Sequence, residues 1–217
     1  LELRIRNHPK LVKALVNIKK NSQFIELYEK IYKHHGRLYS SSESTIRPEF
    51  YRYKFKLLNN YRPPKDVNLM IILPELDIKG EKSPSINMWI EKIFFERSNS
   101  DNVHICFFSI VYGIIPEELI DSYPLGQYEV TIPLNPVASV YDISFEVTKV
   151  FLDKFSARYK KIFILTPLTF FNEFNELSKI SKNHPIYRLS NTLIEIYGNK
   201  VKTFNEIEDL INELNLE

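Results

Sequence analysis

The chain has 217 residues, 44% of them hydrophobic, which is enough to bury the core of one substantial domain. It has only 5 glycines and no glycine-rich phosphate loop, so the common nucleotide-binding motifs are excluded. No run approaches the ~20 apolar residues of a membrane span, and the amino end lacks a signal-peptide pattern. Cys106 is the single cysteine, which fits a reducing compartment. These features predict a cytoplasmic protein with no membrane partner.

Charge is distributed unevenly along the chain, although the net charge is only +2. Residues 1–65 carry 15 Lys/Arg against 5 Asp/Glu, whereas residues 66–217 carry 14 against 22. The asymmetry predicts two domains, a basic helical segment (1–65) and an α/β/α domain with C-terminal helices (66–217). A basic segment favours an anionic partner, and nucleic acid is the usual one. The alternative is that the basic helices dock against the acidic remainder or are solvated.

The basic segment is predicted to be helical. Leu11, Ala14, Leu15 and Ile18 form an apolar stripe, and residues 22–35 repeat the pattern, so a helical hairpin is expected. A third helix is predicted from Pro48 to the residues before Arg62.

The third helix interleaves aromatic and cationic residues. Such a pattern is typical of a surface that stacks unpaired bases and contacts phosphates. The predicted RNA-binding residues are Arg47, Arg52, Lys54, Lys56 and Arg62. Helical spacing also places Phe50, Tyr53, Leu57 and Leu58 on one face, so packing in the core explains most of the apolar positions.

From Val67 onward, apolar strands alternate with helices. Strands are predicted at residues 69–73, 103–110, 128–132 and 162–165. Helices are predicted at residues 86–95, 116–120 and 136–159, and a final amphipathic helix includes Ile207, Leu210, Ile211 and Leu214. Apolar strands joined by helical crossovers predict a three-layer α/β/α sandwich with a mostly parallel sheet, preceded by the N-terminal helical segment.

The loop after the first strand is the candidate site, because ligands bind at the carboxyl ends of strands in open α/β sheets. It contains Glu75, Asp77 and Glu81, and two neighbouring carboxylates can raise one pKa for acid/base work. None of the five histidines has a second ligand at metal-binding spacing, so neither metal nor cofactor is predicted. His104 and Cys106 are expected to be core residues.

Several short segments follow one another in a recognisable order: His8-Pro9, Arg47-Pro48-Glu49, the strand 69–74, Gly113-Ile-Ile-Pro116 with Glu118-Leu119, Tyr123-Pro124 and Tyr128-Glu-Val130. In this order they resemble the archaeosine synthase alpha (tRNA-guanine transglycosylase-like) family. The resemblance covers residues 8–166, and it implies a central domain similar to the uracil-DNA-glycosylase fold. In that family the reaction installs lysine or a related amine on the 7-cyano-7-deazaguanine base of tRNA.

The chain departs from the signature that the resemblance leads us to expect. Pro74 and Lys79 match, but Glu75 stands where the family has Cys, Glu81 where it has Tyr, and Asn87 where it has His. A carboxylate is a far poorer nucleophile toward a nitrile than a thiolate. The chain is therefore not expected to be an enzyme on its own.

Three functions remain open. The first is a non-catalytic scaffold or accessory domain in archaeal tRNA modification, with RNA (tRNA) or a tRNA-modification protein as partner. The second is an active subunit of a split archaeosine synthase, with Lys79, Glu75, Glu81 and Asn87 lining the catalytic pocket. The third is a structural subunit of a ribonucleoprotein or protein complex.

Overall fold

The computed structural model describes residues 38–39, 48–75, 89–93, 102–119, 128–129, 138–171, 177–179 and 184–216. The chain divides into two compact units, residues 1–38 and 39–217. Every described residue after Leu38 belongs to the second unit. The predicted hairpin within residues 1–36 lies outside the described residues, and the predicted domain boundary after residue 65 stays a prediction.

A five-stranded sheet forms the centre of the second unit. The described strands are β1 (Leu38–Tyr39), β2 (Leu69–Pro74), β3 (Val103–Ser109), β4 (Gly113–Pro116), β5 (Tyr128–Glu129), β6 (Lys161–Leu165), β7 (Thr169–Phe171), β8 (Leu177–Lys179) and β9 (Val201–Phe204). The sheet has the order β4-β3-β2-β6-β9, in which β4 is antiparallel to β3 and every other neighbouring pair is parallel. The predicted mostly parallel α/β fold is confirmed.

Helices cover both faces of this sheet. The described ones are α1 (Pro48–Phe55), α2 (Ala138–Phe155), α3 (Pro185–Tyr197) and α4 (Ile207–Leu216), with a further helical stretch at residues 89–93. All six residues of β2 are buried, so both sides of the central strand are shielded from water. On one face Phe108 of β3 packs against Tyr141 of α2, with ring centroids 6.4 Å apart. α4 packs against β6 and β9, and Lys92 pairs with its Glu208.

Two sequence-based assignments need correction. The strand predicted at residues 128–132 is described only at Tyr128–Glu129, and it lies outside the five-stranded sheet, where β4 and β9 take the remaining positions. The helix predicted at residues 116–120 is a single 3-10 turn, Glu117–Leu119, that follows β4. β4 pairs with β3 because a tight turn follows β3. In this turn Ser109 Oγ accepts the N–H groups of Val111 and Tyr112, and the chain reverses direction to run antiparallel to β3.

Gly113 allows this turn to lie directly under α2. Its φ is +73°, and a Cβ there would lie 2.5 Å from the carbonyl oxygen of Ser144 on α2. Only glycine meets both requirements without strain. None of the described helices is long and apolar enough to cross a membrane.

Candidate functional site at the carboxyl edge of the sheet

The sheet has a topological switch point between β2 and β6. These strands are neighbours, but the next parallel strand after β2 lies on one side (β3) and the next after β6 lies on the other (β9). Diverging connections leave a crevice beyond the carboxyl ends of such strands, where α/β proteins bind ligands. Glu75 follows β2 at this edge, and Thr166 follows β6. The carboxyl end of β2, which the sequence indicated as the candidate site, is thus also the edge at which this sheet topology predicts a ligand-binding site.

Glu75 is a buried carboxyl group with incomplete hydrogen bonding. Only 4% of its surface is exposed, and its backbone N–H donates to the carbonyl of Phe108 at 3.0 Å. Its Oε2 atom has no hydrogen-bond partner among the described residues. Burial raises the pKa of Glu75 to about 7, although a hydrogen bond with Ser109 opposes the rise. The carboxyl group can therefore exchange a proton near neutral pH.

His184 is a second buried polar group at this edge. It caps α3, where its Nδ1 accepts the N–H of Ile186 at 3.2 Å, while its Nε2 has no partner among the described residues. Burial lowers the pKa of His184 to about 4, so the imidazole is neutral at pH 7. Because Nδ1 accepts a hydrogen bond, the ring hydrogen resides on Nε2. His184 thus presents a buried N–H donor.

Tyr141 is the third such group, and it stands at the start of α2. Its ring contacts Phe108 edge to face and also the guanidinium of Arg188, whose Cζ is 4.4 Å from the ring centroid. Its hydroxyl has no hydrogen-bond partner in the described part of the chain. Burial raises its pKa to about 12, so the hydroxyl keeps its hydrogen at pH 7.

Packing brings the starts of α2 and α3 to this edge. Arg188, which covers Tyr141, lies one turn after His184 on α3. The hydroxyl of Tyr187 donates to the carbonyl of Pro167 at 2.9 Å, which ties the start of α3 to the end of β6. Among the described residues, Glu75, His184 and Tyr141 therefore supply buried polar atoms at one edge of the sheet.

The predicted RNA-binding residues fall on and just after α1. Arg52 and Arg62 are exposed and Lys54 and Lys56 are half-buried, while Arg47 lies outside the described residues. The guanidinium of Arg62 donates to the carbonyls of Asn59 and Tyr61, at 3.1 and 2.8 Å.

The aromatic residues of α1 divide between the core and the solvent. Phe50, Tyr53 and Leu57 are buried, as core packing requires. Tyr51 and Phe55 are 57% and 62% exposed, and with Arg52 they form one outward face that we call the α1 surface. Core packing therefore explains the buried residues of this segment, and the interpretation as an RNA-binding surface remains open for the exposed ones.

Comparisons with known proteins point to one group of relatives. A tRNA-guanine(15) transglycosylase of Methanococcus vannielii is 28% identical over 208 residues, which are 93% of this chain and 28% of the relative. The protein of that name from Methanocaldococcus jannaschii is 28% identical over 99% of this chain and 30% of the relative. A third, from Pyrobaculum aerophilum, is 30% identical over 59% of this chain. This chain is a homologue of the tRNA-guanine(15) transglycosylases.

The homology confirms the resemblance inferred from the sequence. The chain spans about 28% of the length of several of the tRNA-guanine(15) transglycosylases it matches. No family model matches it. No solved structure matches it either, so the likeness to the uracil-DNA-glycosylase fold stays a prediction.

The structure describes one of the four predicted catalytic residues. Glu75 lies at the carboxyl edge, whereas Lys79, Glu81 and Asn87 lie outside the described residues. His184 and Tyr141 were missed because no motif marks them. The His184-Pro185 pair, a capping residue before a proline, was the available signal for the start of α3.

Cys106 and His104 are buried in the core. Burial raises the pKa of the Cys106 thiol, further helped by Glu118 and Glu117, so this cysteine is a poor nucleophile. His104 is buried and contacts the hydroxyls of Tyr159 at 2.6 Å and Tyr61 at 3.0 Å. Among the described residues no group of three or more His, Cys, Asp or Glu side chains is placed to hold a metal ion.

Proposed function

We propose that this chain is a tRNA-binding domain that acts in cytoplasmic tRNA modification and does not catalyse the modification by itself. The observation that carries the proposal is the α1 surface, on which Tyr51, Arg52 and Phe55 are exposed to solvent. Unpaired bases stack on exposed aromatic rings, and arginine neutralises the adjoining phosphates. The homology supports tRNA as the RNA, because the relatives carry the name tRNA-guanine(15) transglycosylase.

The non-catalytic part of the proposal is supported by the chemistry at Glu75. The resemblance implies a cysteine at position 75, where this chain has a carboxylate, which is a weak nucleophile toward a nitrile. Its surroundings are suited to holding a ligand, since the side chain is buried and Oε2 is available for a hydrogen bond. The domain would thus bind tRNA and present it to a partner enzyme.

Removing cations from the α1 region is expected to weaken tRNA binding. The variant combines Arg52→Gln, Lys54→Gln and Arg62→Gln, and each lost phosphate contact lowers the salt dependence of binding. We expect the slope of log affinity against log salt to fall by about 2 to 3, measured by filter binding of tRNA at several salt concentrations.

A matched control removes the same net charge elsewhere. Lys149→Gln, Lys160→Gln and Lys202→Gln lie outside α1 and should leave the slope nearly unchanged. A second variant, Tyr51→Ala with Phe55→Ala, should reduce affinity roughly 10-fold or more while keeping the slope, because stacking is not ionic. If the α1 and control variants bind tRNA equally well at low salt, the proposed surface is wrong.

The second candidate function is an active subunit of a split synthase. Glu75 favours it, because a carboxyl group with a pKa of about 7 can donate or accept a proton at neutral pH. We expect no product when the chain alone is incubated with lysine and tRNA carrying 7-cyano-7-deazaguanine, as read by mass spectrometry of the nucleosides. Turnover that disappears in Lys79→Ala would establish the catalytic alternative and contradict the non-catalytic one.

A further inference from the structure

Three cationic side chains hold the segment that connects α1 to β2, and we call them the cationic cluster. Lys154 donates to one carbonyl oxygen of residues 58–65, Arg62 donates to two and Arg158 donates to three. Lys154 lies in the last turn of α2 and Arg158 just after it, so elements distant in sequence bring these cations to one place. The accepting carbonyls, at 2.5–3.3 Å, belong to Leu58, Asn59, Tyr61, Pro63, Pro64 and Lys65.

The positions of the accepting carbonyls make the three cations neighbours. Lys154 and Arg62 bind the consecutive carbonyls of residues 58 and 59, and Arg62 and Arg158 bind carbonyls two residues apart, 61 and 63. Each residue spans at most about 3.6 Å, so neighbouring charged groups are separated by roughly 9 to 13 Å or less. This spacing is close to the screening length of about 8 Å at physiological salt, so their positive potentials add.

The charge of the cationic cluster is not neutralised by a carboxylate in the described part of the chain. Its three side chains are exposed, and a carbonyl oxygen accepts a hydrogen bond without carrying a net charge. Asp153, which precedes Lys154, accepts instead from the hydroxyl of Tyr197 at 2.8 Å. Other described cations do have acidic partners, namely Lys92 with Glu208, Arg188 with Asp142 and Lys202 with Glu213.

We propose that the cationic cluster of Arg62, Lys154 and Arg158 binds phosphates of an RNA backbone and extends the α1 surface onto the end of α2. Each side chain keeps N–H donors that its carbonyl partners do not use, and hydrogen bonds to phosphate are stronger than those to a neutral carbonyl. The carbonyls hold the cations in place before binding, which reduces the entropy lost on binding. The choice of RNA as the anion rests on the proposed function.

The test measures how salt affects the binding of two probes by the full chain. One probe is tRNA, and the other is an abasic oligonucleotide, which keeps the phosphates and has no bases. In the variant Lys154→Gln, Arg158→Gln we expect the slope of log affinity against log salt to fall by about 1.5 with both probes, because each lost phosphate contact removes about 0.7. The control Lys149→Gln, Lys202→Gln removes the same charge elsewhere and should leave the slope unchanged. Equal slopes in these two variants overturn the proposal.

A second variant separates the positive charge from the carbonyl contacts. Lys154→Arg with Arg158→Lys keeps both charges but changes the hydrogen bonds to residues 58 and 63–65. We expect the wild-type slope with both probes, even where urea unfolding shows a loss of stability. A slope as low as that of the glutamine variant would show that the carbonyl contacts, and not phosphate binding, cause the change, and would overturn the proposal.

The two probes also distinguish this proposal from the α1 surface. Tyr51→Ala with Phe55→Ala should lower the affinity for tRNA and leave the affinity for the abasic oligonucleotide unchanged, because only tRNA has bases to stack. If the glutamine variant of the cationic cluster lowers the slope while this aromatic variant changes nothing, the cluster is supported and the α1 surface is wrong. The reverse result supports the α1 surface and overturns the cluster. No binding of either probe by the wild type overturns both.

Discussion

Replacing Glu75 with glutamine should stabilise the folded chain by about 3 kcal/mol at pH values well above 7. The pKa of Glu75 rises from 4.5 to about 7 on folding, with burial as the main cause, and each pKa unit corresponds to about 1.4 kcal/mol. The charged form therefore destabilises the native state. Glutamine keeps the shape and removes the charge.

The pH dependence of this difference follows from proton binding. Below about 4.5 Glu75 is protonated in both states, so wild type and Glu75→Gln should differ little. Between about 4.5 and 7 the folded state holds a proton that the unfolded state has released, so the stability of the wild type falls relative to the variant as pH rises. Above about 7 the difference is complete.

Urea unfolding of both proteins across this range measures the effect, and the difference between them cancels the titration of the other groups. Glu146→Gln is the matched control, since it makes the same chemical change at an exposed position on α2. It should change stability by no more than about 0.5 kcal/mol. If the free energy of unfolding depends on pH in the same way in Glu75→Gln and Glu146→Gln, ionisation of Glu75 does not destabilise the native state.

The sequence predicted the sheet best where strands are continuously apolar. β2, β3 and β6 are buried on both faces, and such runs stand out in the printed sequence. β4 was missed because Gly113–Pro116 has only four residues and its pairing depends on the turn that Ser109 closes. No strand is predicted at the position of β9, because Lys202 and Thr203 interrupt its apolar pattern.

The candidate site was predictable in position but not in mechanism. A loop after a buried strand placed Glu75 at the sheet edge, as found. The sequence indicated only that two neighbouring carboxylates in this loop can raise the pKa of one of them, whereas burial is the main cause of the raised pKa of Glu75 in the structure. Burial of one side chain depends on elements far away in sequence, such as the chain near Phe108. His184 and Tyr141 were not predicted for the same reason, since only tertiary packing brings the starts of α3 and α2 to the carboxyl edge of the sheet.

The second large effect is expected at His104, which joins the chain after α1 to the core. His104 Nδ1 lies 2.6 Å from the hydroxyl of Tyr159, and Nε2 lies 3.0 Å from the hydroxyl of Tyr61, which donates to Glu118 at 3.2 Å. These contacts form a continuous chain from Tyr159 through His104 and Tyr61 to Glu118. Burial alone would raise the pKa of Glu118, but its contacts with His104 and Tyr61 outweigh burial and lower it.

His104→Leu should lower the free energy of unfolding by about 3 kcal/mol, because it leaves the hydroxyl of Tyr159 buried without its partner and breaks the link to Tyr61. Urea unfolding measures the loss. The double variant His104→Leu, Tyr159→Phe should recover part of it, since removing both partners of a buried hydrogen bond costs less than removing one. Additive losses in the double variant would show that the two side chains are not coupled. The recovery would identify His104 as a structural link that holds the residues after the α1 surface on the sheet.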